Sequence, residues 1–365
     1  MARLADRLPD FPWDLLAPYA DIARTHDEGI VDLSVGTPVD PVPASVQAAL
    51  AAASDAPGYP STAGTPALRE AVSAWAATTL HADVAPAAVL PLVGSKELVA
   101  LLPTLLDLGP DDTVVIPELA YPTYDVGARI AGCRVVTADS TLALGPERVA
   151  LLWVNSPSNP TGRVLGVDHL AKVVAWARER GALVVSDECY LELGWDAVPV
   201  SVLDPRVNGG SHEGVLAVHS LSKRSNLAGY RSGFALGDPE VVAGLLEARK
   251  HLGLMTPSPV QAAAIAALGD HTHVEEQRER YARRRDHLLS AFLDSGFTIE
   301  HSEAGLYLWA SRGENCWDTV SWLADRGILV APGEFYGVAG ARHVRVALTA
   351  TDERIAAAVR RLGRV

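Results

Sequence analysis

The sequence predicts an α/β protein: a large domain built on a mostly parallel central sheet, followed by a smaller C-terminal α+β domain. Three observations carry this. Short apolar runs at 89–93, 113–116, 150–154, 182–185, 215–218 and 233–236 read as buried strands. Helical patterns lie between several of them, at 98–106 and 169–180, and strands alternating with helices imply βαβ units with helices on both faces of the sheet. After Gly237 the pattern changes: helices are expected at 239–252, 260–268 and 274–293, then short strands at 298–300, 306–310, 328–330 and 343–347. The domains expected are therefore an N-terminal arm (1–35) packing with the small domain, a large domain (36–270) and a small one (271–365).

Composition narrows the function. The 365 residues are 48% hydrophobic and 21% charged, an ordinary globular balance. Lys and Arg number 31 against 44 Asp and Glu, a net charge of −13, so the far field repels phosphate, and neither nucleic acid nor an anionic membrane is an expected partner. No apolar run approaches the ~20 residues of a membrane span, and the N-terminus lacks a signal-peptide core. The three cysteines (133, 189, 316) fit neither a disulfide framework nor a Cys-x-x-Cys metal site. A cytoplasmic protein is expected. His271 and His273 and the run Arg283-Arg284-Arg285 read as a solvated helix start and a charged helix face.

In a parallel sheet, ligands bind beyond the carboxyl ends of the strands, so the loop after each run is where chemistry belongs. After the first comes Gly94-Ser95-Lys96, a glycine turn feeding a helix N-terminus that suits a phosphate. After the second, Tyr121 and Tyr124 offer a stacking face for a flat ring. The third is followed by Asn155-Ser-Pro-Ser-Asn159-Pro-Thr-Gly162, a rigid polar loop. The fourth leads to Asp187-Glu-Cys-Tyr190, where a carboxylate at a strand end needs a cationic partner. The fifth leads to Ser220-Leu-Ser222-Lys223 and then Arg231. A ring-stacking face, phosphate donors, a carboxylate, hydrogen-bond donors and an imine-forming lysine suit one ligand, pyridoxal 5′-phosphate.

With these motifs in order, together with Tyr59, Pro332-Gly333 and Arg345 in His-Val-Arg-Val, the chain resembles the fold-type I, class I/II aminotransferases from about residue 33 to 348. The resemblance implies a pyridoxal-phosphate enzyme that moves an amino group between an amino acid and 2-oxoglutarate. Lys223 is then the Schiff-base lysine and proton shuttle, and Asp187 the partner of the ring nitrogen, kept ionised by it. Asn159 and Tyr190 bind the phenolic oxygen, Tyr121 stacks on the ring, and Gly94, Ser95, Lys96, Ser220, Ser222 and Arg231 surround the phosphate. Gly36, Asn159 and Arg345 face the substrate, Arg345 holding its α-carboxylate. Tyr59 matches a tyrosine that reaches the neighbouring subunit's phosphate, which implies a homodimer with shared sites. No metal is implied.

Tyr230, Ser232 and the 334–337 stretch depart from the common family pattern, the last of them at the substrate pocket. The compact length and the opening Asp32-Leu-Ser-Val-Gly-Thr-Pro most resemble the succinyldiaminopimelate aminotransferases of lysine biosynthesis in high-GC bacteria. A broad alanine, aspartate or aromatic aminotransferase and a pyridoxal-dependent β-lyase share the same residues. A ligand-sensing regulator on this fold carries an added DNA-binding segment, for which about 35 leading residues are too few.

Overall fold

The computed structural model describes residues 4–145 and 148–363. A two-residue strand, β1 (Val31–Asp32), is followed by β2 (Val89–Leu92), β3 (Thr113–Ile116), β4 (Arg134–Thr137), β5 (Val149–Asn155), β6 (Leu183–Asp187), β7 (Val215–Ser220) and β8 (Gly233–Gly237). Strands β2 to β8 form one seven-stranded sheet in the order β2-β8-β7-β6-β5-β3-β4. All its pairings are parallel except those of β8, which runs antiparallel to both neighbours.

Side-chain alternation explains why these runs are apolar without a break. Val115, Leu152, Val154, Val215 and Ala217 enter the core on one face of the sheet. Their chain neighbours Val114, Ile116, Leu151, Trp153, Leu216 and Val218 enter the core on the other. A strand covered by helices on both faces has no polar side to show. Strand β4 was not expected from the sequence: its Arg-Val-Val-Thr is half-buried at best, as suits a sheet edge.

Strands β9 (Thr298–Glu300), β10 (Tyr307–Ser311), β11 (Ile328–Leu329), β12 (Ala331–Pro332) and β13 (Val344–Ala347) follow. An antiparallel sheet has the order β12-β13-β10-β9, while β1 pairs in parallel with β11. Leu16, Ala20, Val31 and Leu33 share one core with Leu308, Val320, Ile328 and Val346, so the N-terminal segment is built into this second unit.

The arginine run on the helix Thr272–Asp294 corrects the expectation of a charged face. Arg284 and Arg285 are buried. Arg284 donates to both oxygens of Asp40, at 2.8 and 2.7 Å, and to Asp352 at 2.6 Å. Arg285 pairs with Asp196 and donates to the Ser302 carbonyl at 3.0 Å. These acids come from distant segments, so the helix cross-links the chain.

Candidate active site

Strand β8 brings the phosphate-type residues together. In register, Gly233 sits opposite Leu92 of β2 and Ser220 of β7. Its reversed direction puts the residues just before it, Arg231 among them, at the carboxyl ends of its neighbours. A Cβ on Gly233 would lie 2.7 Å from the His219 carbonyl and 3.3 Å from the Ser95 nitrogen, so only glycine lets the three segments close up. Gly94, with φ +74°, turns the chain into the helix Ser95–Leu105, and a Cβ there would collide with the Arg231 guanidinium. Glu97, one turn on, accepts from the Val93 N–H at 3.3 Å and from buried Arg249, which fixes the turn. The Ser220 hydroxyl accepts from the Ser222 N–H at 3.1 Å. The exposed Lys96 ammonium lies 5.9 Å from the ring centres of both Tyr121 and Phe11.

Asp187 ends β6, buried. Its carboxylate accepts from the Tyr124 hydroxyl at 2.8 Å and from the Cys189 N–H at 3.2 Å, and no salt bridge joins it among the described residues. Burial pushes this carboxyl above its usual range, against the pull of the Cys189 and Tyr124 hydrogen bonds and of His219. The neighbouring Cys189 thiol donates to the Ser95 hydroxyl at 3.4 Å, and burial, then Asp187, raises its pKa. Tyr124 is therefore not a stacking face. It lies in the core against Trp153, ring centres 4.8 Å apart, and its hydroxyl serves Asp187. Tyr121 meets it edge-on at 5.9 Å, nearer solvent.

Asn155, quoted in the sequence pattern without a role, ties two strand ends together. Its amide donates to the Asp187 carbonyl at 2.9 Å, and its oxygen accepts the Asn159 N–H at 2.7 Å. The loop then closes on the second unit: Ser302 donates to the Thr161 carbonyl at 2.9 Å and Ala304 to that of Gly162 at 3.0 Å. Arg345, buried on β13, reaches across, donating to the Asn159 side-chain oxygen at 2.8 Å and to the Ser34 carbonyl at 2.6 Å. Its Nε has no partner among the described residues, so the guanidinium keeps donor capacity for a ligand. Its guanidinium carbon lies 4.0 Å from the ring centre of Tyr307 and 4.9 Å from that of Tyr336.

Lys223 donates to the Gly36 carbonyl. Burial pulls its ammonium below the usual range; Arg345 and Arg231 add to this, against Tyr307 and Cys189. A larger neutral fraction makes it a better nucleophile and base. Tyr190 shares a 3.0 Å hydrogen bond with Tyr307. Tyr59 is 96% exposed and meets none of these groups within one chain. Sequence reading missed Tyr307; its signal was a polar-tipped ring between Leu306 and Leu308, and all three are buried in one core.

A buried carboxylate with hydrogen-bond donors but no salt bridge among the described residues, a softened lysine, a glycine turn closed against an arginine, and a guanidinium with an unused N–H together fit pyridoxal phosphate and a substrate carboxylate. Residues 28–362 match the family model for aminotransferase class I and II. The chain belongs to that family. Class I and II aminotransferases are pyridoxal-phosphate enzymes that act on amino and 2-oxo acids. The chain is 67% identical to a probable aminotransferase of Mycobacterium tuberculosis, over 97% of this chain and 85% of that protein. It is 61% identical to the 4-dedimethylamino-4-oxo-anhydrotetracycline transaminase OxyQ of Streptomyces rimosus, over 97% and 99%. Among solved aminotransferase structures, a probable N-succinyldiaminopimelate aminotransferase from Thermus thermophilus superposes with a TM-score of 0.87 at 28% identity, covering 96% of this chain and 99% of that one. Among the described residues no helix is long and apolar enough to cross a membrane.

Proposed function

We propose that this aminotransferase transfers an amino group between N-succinyl-LL-diaminopimelate and 2-oxoglutarate. The observation that carries the substrate is a pair of cations of unequal burial: buried Arg345, whose Nε has no partner among the described residues, and exposed Lys96 over Phe11 and Tyr121. The diaminopimelate derivative presents a reacting α-carboxylate at one end, and at the other an apolar stem ending in two further carboxylates. The aromatic rings suit the stem and Lys96 suits the far charge. The likeness to the Thermus enzyme named for this substrate supports the reading.

In this reading Lys223 binds the cofactor aldehyde, and its Nζ afterwards takes the proton from the substrate Cα. The bound cofactor supplies an electron sink for that carbon. Asp187 holds the ring nitrogen protonated, and Asn159 and Tyr190 bind the phenolic oxygen. Tyr121 covers the ring, and Gly94, Ser95, Ser220, Ser222 and Arg231 hold the phosphate. Lys96 was expected at the phosphate; its place over two rings favours the substrate. Gly36 and Arg345 border the reacting end of the substrate.

Tyr59 is almost wholly exposed and has no partner among the described residues, which supports a homodimer in which it completes the partner's phosphate site.

The test is the visible spectrum of the purified, cofactor-loaded protein, titrated with N-succinyl-LL-diaminopimelate in the absence of any oxo acid. Loss of the yellow band, restored by 2-oxoglutarate, is the expected result. A band that persists with this compound but is lost with alanine, aspartate or an aromatic amino acid would replace the substrate. Release of pyruvate and ammonia without an acceptor would make the enzyme a lyase.

A further inference from the structure

Tyr307 sits where the machinery from both units meets. Its hydroxyl is 3.0 Å from that of Tyr190, its ring lies 4.0 Å from the Arg345 guanidinium carbon, and a Cβ on Gly36 would collide with its hydroxyl. Gly36 in turn accepts from Lys223. We propose that Tyr307 is a positioning residue that controls, through the Tyr190 hydroxyl, the proton available to the cofactor's phenolic oxygen.

The charges around the pair give the hydroxyls unequal acidity. Tyr307 faces Tyr190 and Cys189 beyond β6, Lys223, Arg345 on β13, and the phenols of Tyr336 and Tyr281. Burial opposes its ionisation, but Arg345, Lys223 and the Tyr190 hydrogen bond together bring its pKa below the usual tyrosine value. Burial, then Tyr307 itself, raises Tyr190. In the free protein either hydroxyl can donate in their 3.0 Å bond, and once Tyr307 gives up its proton Tyr190 is the donor. Each hydroxyl carries one proton and accepts at two positions. When the phenolic oxygen of the cofactor draws the Tyr190 proton, Tyr307 can turn its own proton to the Tyr190 oxygen, and the contact between the two rings is kept. Without the Tyr307 hydroxyl, Tyr190 loses this second donor, and its hold on the phenolic oxygen weakens.

The proposal rests on the family's cofactor and not on the choice of substrate, and its test contains no amino acid. The variant Tyr307→Phe keeps the ring against Arg345 and removes only the hydroxyl. In the cofactor-free protein, near-ultraviolet tyrosinate absorbance should rise at lower pH in wild type than in Tyr307→Phe. In the loaded protein, the pH at which the visible band changes form should move by about half a unit or more. Tyr190→Phe should move it too, and the double variant should match Tyr190→Phe alone, because one effect passes through the other. A thermal melt near that of wild type shows that the fold is kept. An unmoved band pH in Tyr307→Phe would overturn the proposal, as would additive shifts in the double variant. Should Tyr307→Phe fail to retain cofactor, the tyrosinate titration decides: identical curves for the two free proteins overturn it.

Discussion

The Tyr124 hydroxyl donates a 2.8 Å hydrogen bond to the Asp187 carboxylate in the core of the large sheet. That bond pulls the Asp187 pKa down against the burial that raises it. Its removal in Tyr124→Phe should raise the Asp187 pKa further. Asp187 would then bind the cofactor's ring nitrogen less well, and pyridoxal phosphate affinity should fall about tenfold, or ~1.4 kcal/mol, the low end for hydrogen bonds to charged groups. The sign of the pH effect follows from an acid whose pKa is raised: the loss should be larger at pH 6 than at pH 8. Fluorescence titration of the cofactor-free variant at both pH values checks this, and equal affinities would refute it.

Lys223→Ala should abolish transamination and leave the fold intact. Lys223 is a base whose pKa is lowered by folding. Carrying its charge therefore costs the folded protein stability below the folded pKa, and the cost fades as pH rises toward the unfolded value of about 10.4. The melting temperature of the cofactor-free variant, relative to wild type, should be highest near neutral pH and decline toward pH 10.

Arg345→Lys should raise KM for the amino acid about 100-fold, equivalent to ~2.7 kcal/mol. An ammonium cannot reproduce a planar fork that already holds Asn159 and Ser34. Cofactor affinity should change less than about threefold, which is within 0.7 kcal/mol. Equal losses of both would contradict the assignment.

Asp40→Ala strips Arg284 of its two-oxygen partner and leaves a buried guanidinium with Asp352 alone. Breaking such a pair costs about 3 kcal/mol. The urea midpoint should fall with an unchanged slope, although Asp40 lies outside the proposed site.

The sheet was legible because strands buried on both faces leave unbroken apolar runs, and the 113–116 run is β3 residue for residue. The edge strand β4 has no such run, so nothing local announced it. The same division holds at the site. Lys223, Asp187 and Arg345 stand in short patterns that a reader can match. Tyr124, Asn155 and Tyr307 act through partners 63, 32 and 117 residues away in the chain, which only the topology supplies. The buried arginines misled for the same reason: nearby acids on the helix suggested a solvated face, while the actual partners, Asp40, Asp196 and Asp352, lie far off in sequence.

The pairing of β1 with β11 has a consequence for how the chain is made. Val31 is made about 300 residues before its partner Ile328. At ~5–20 residues per second, synthesis of that stretch takes about 15–60 s. Throughout that time the strands of the large sheet are made, while β1 stays without its mate. The β1–β11 pairing therefore waits until β11 has been made, and β1 lies only a few residues before Gly36, which accepts from Lys223.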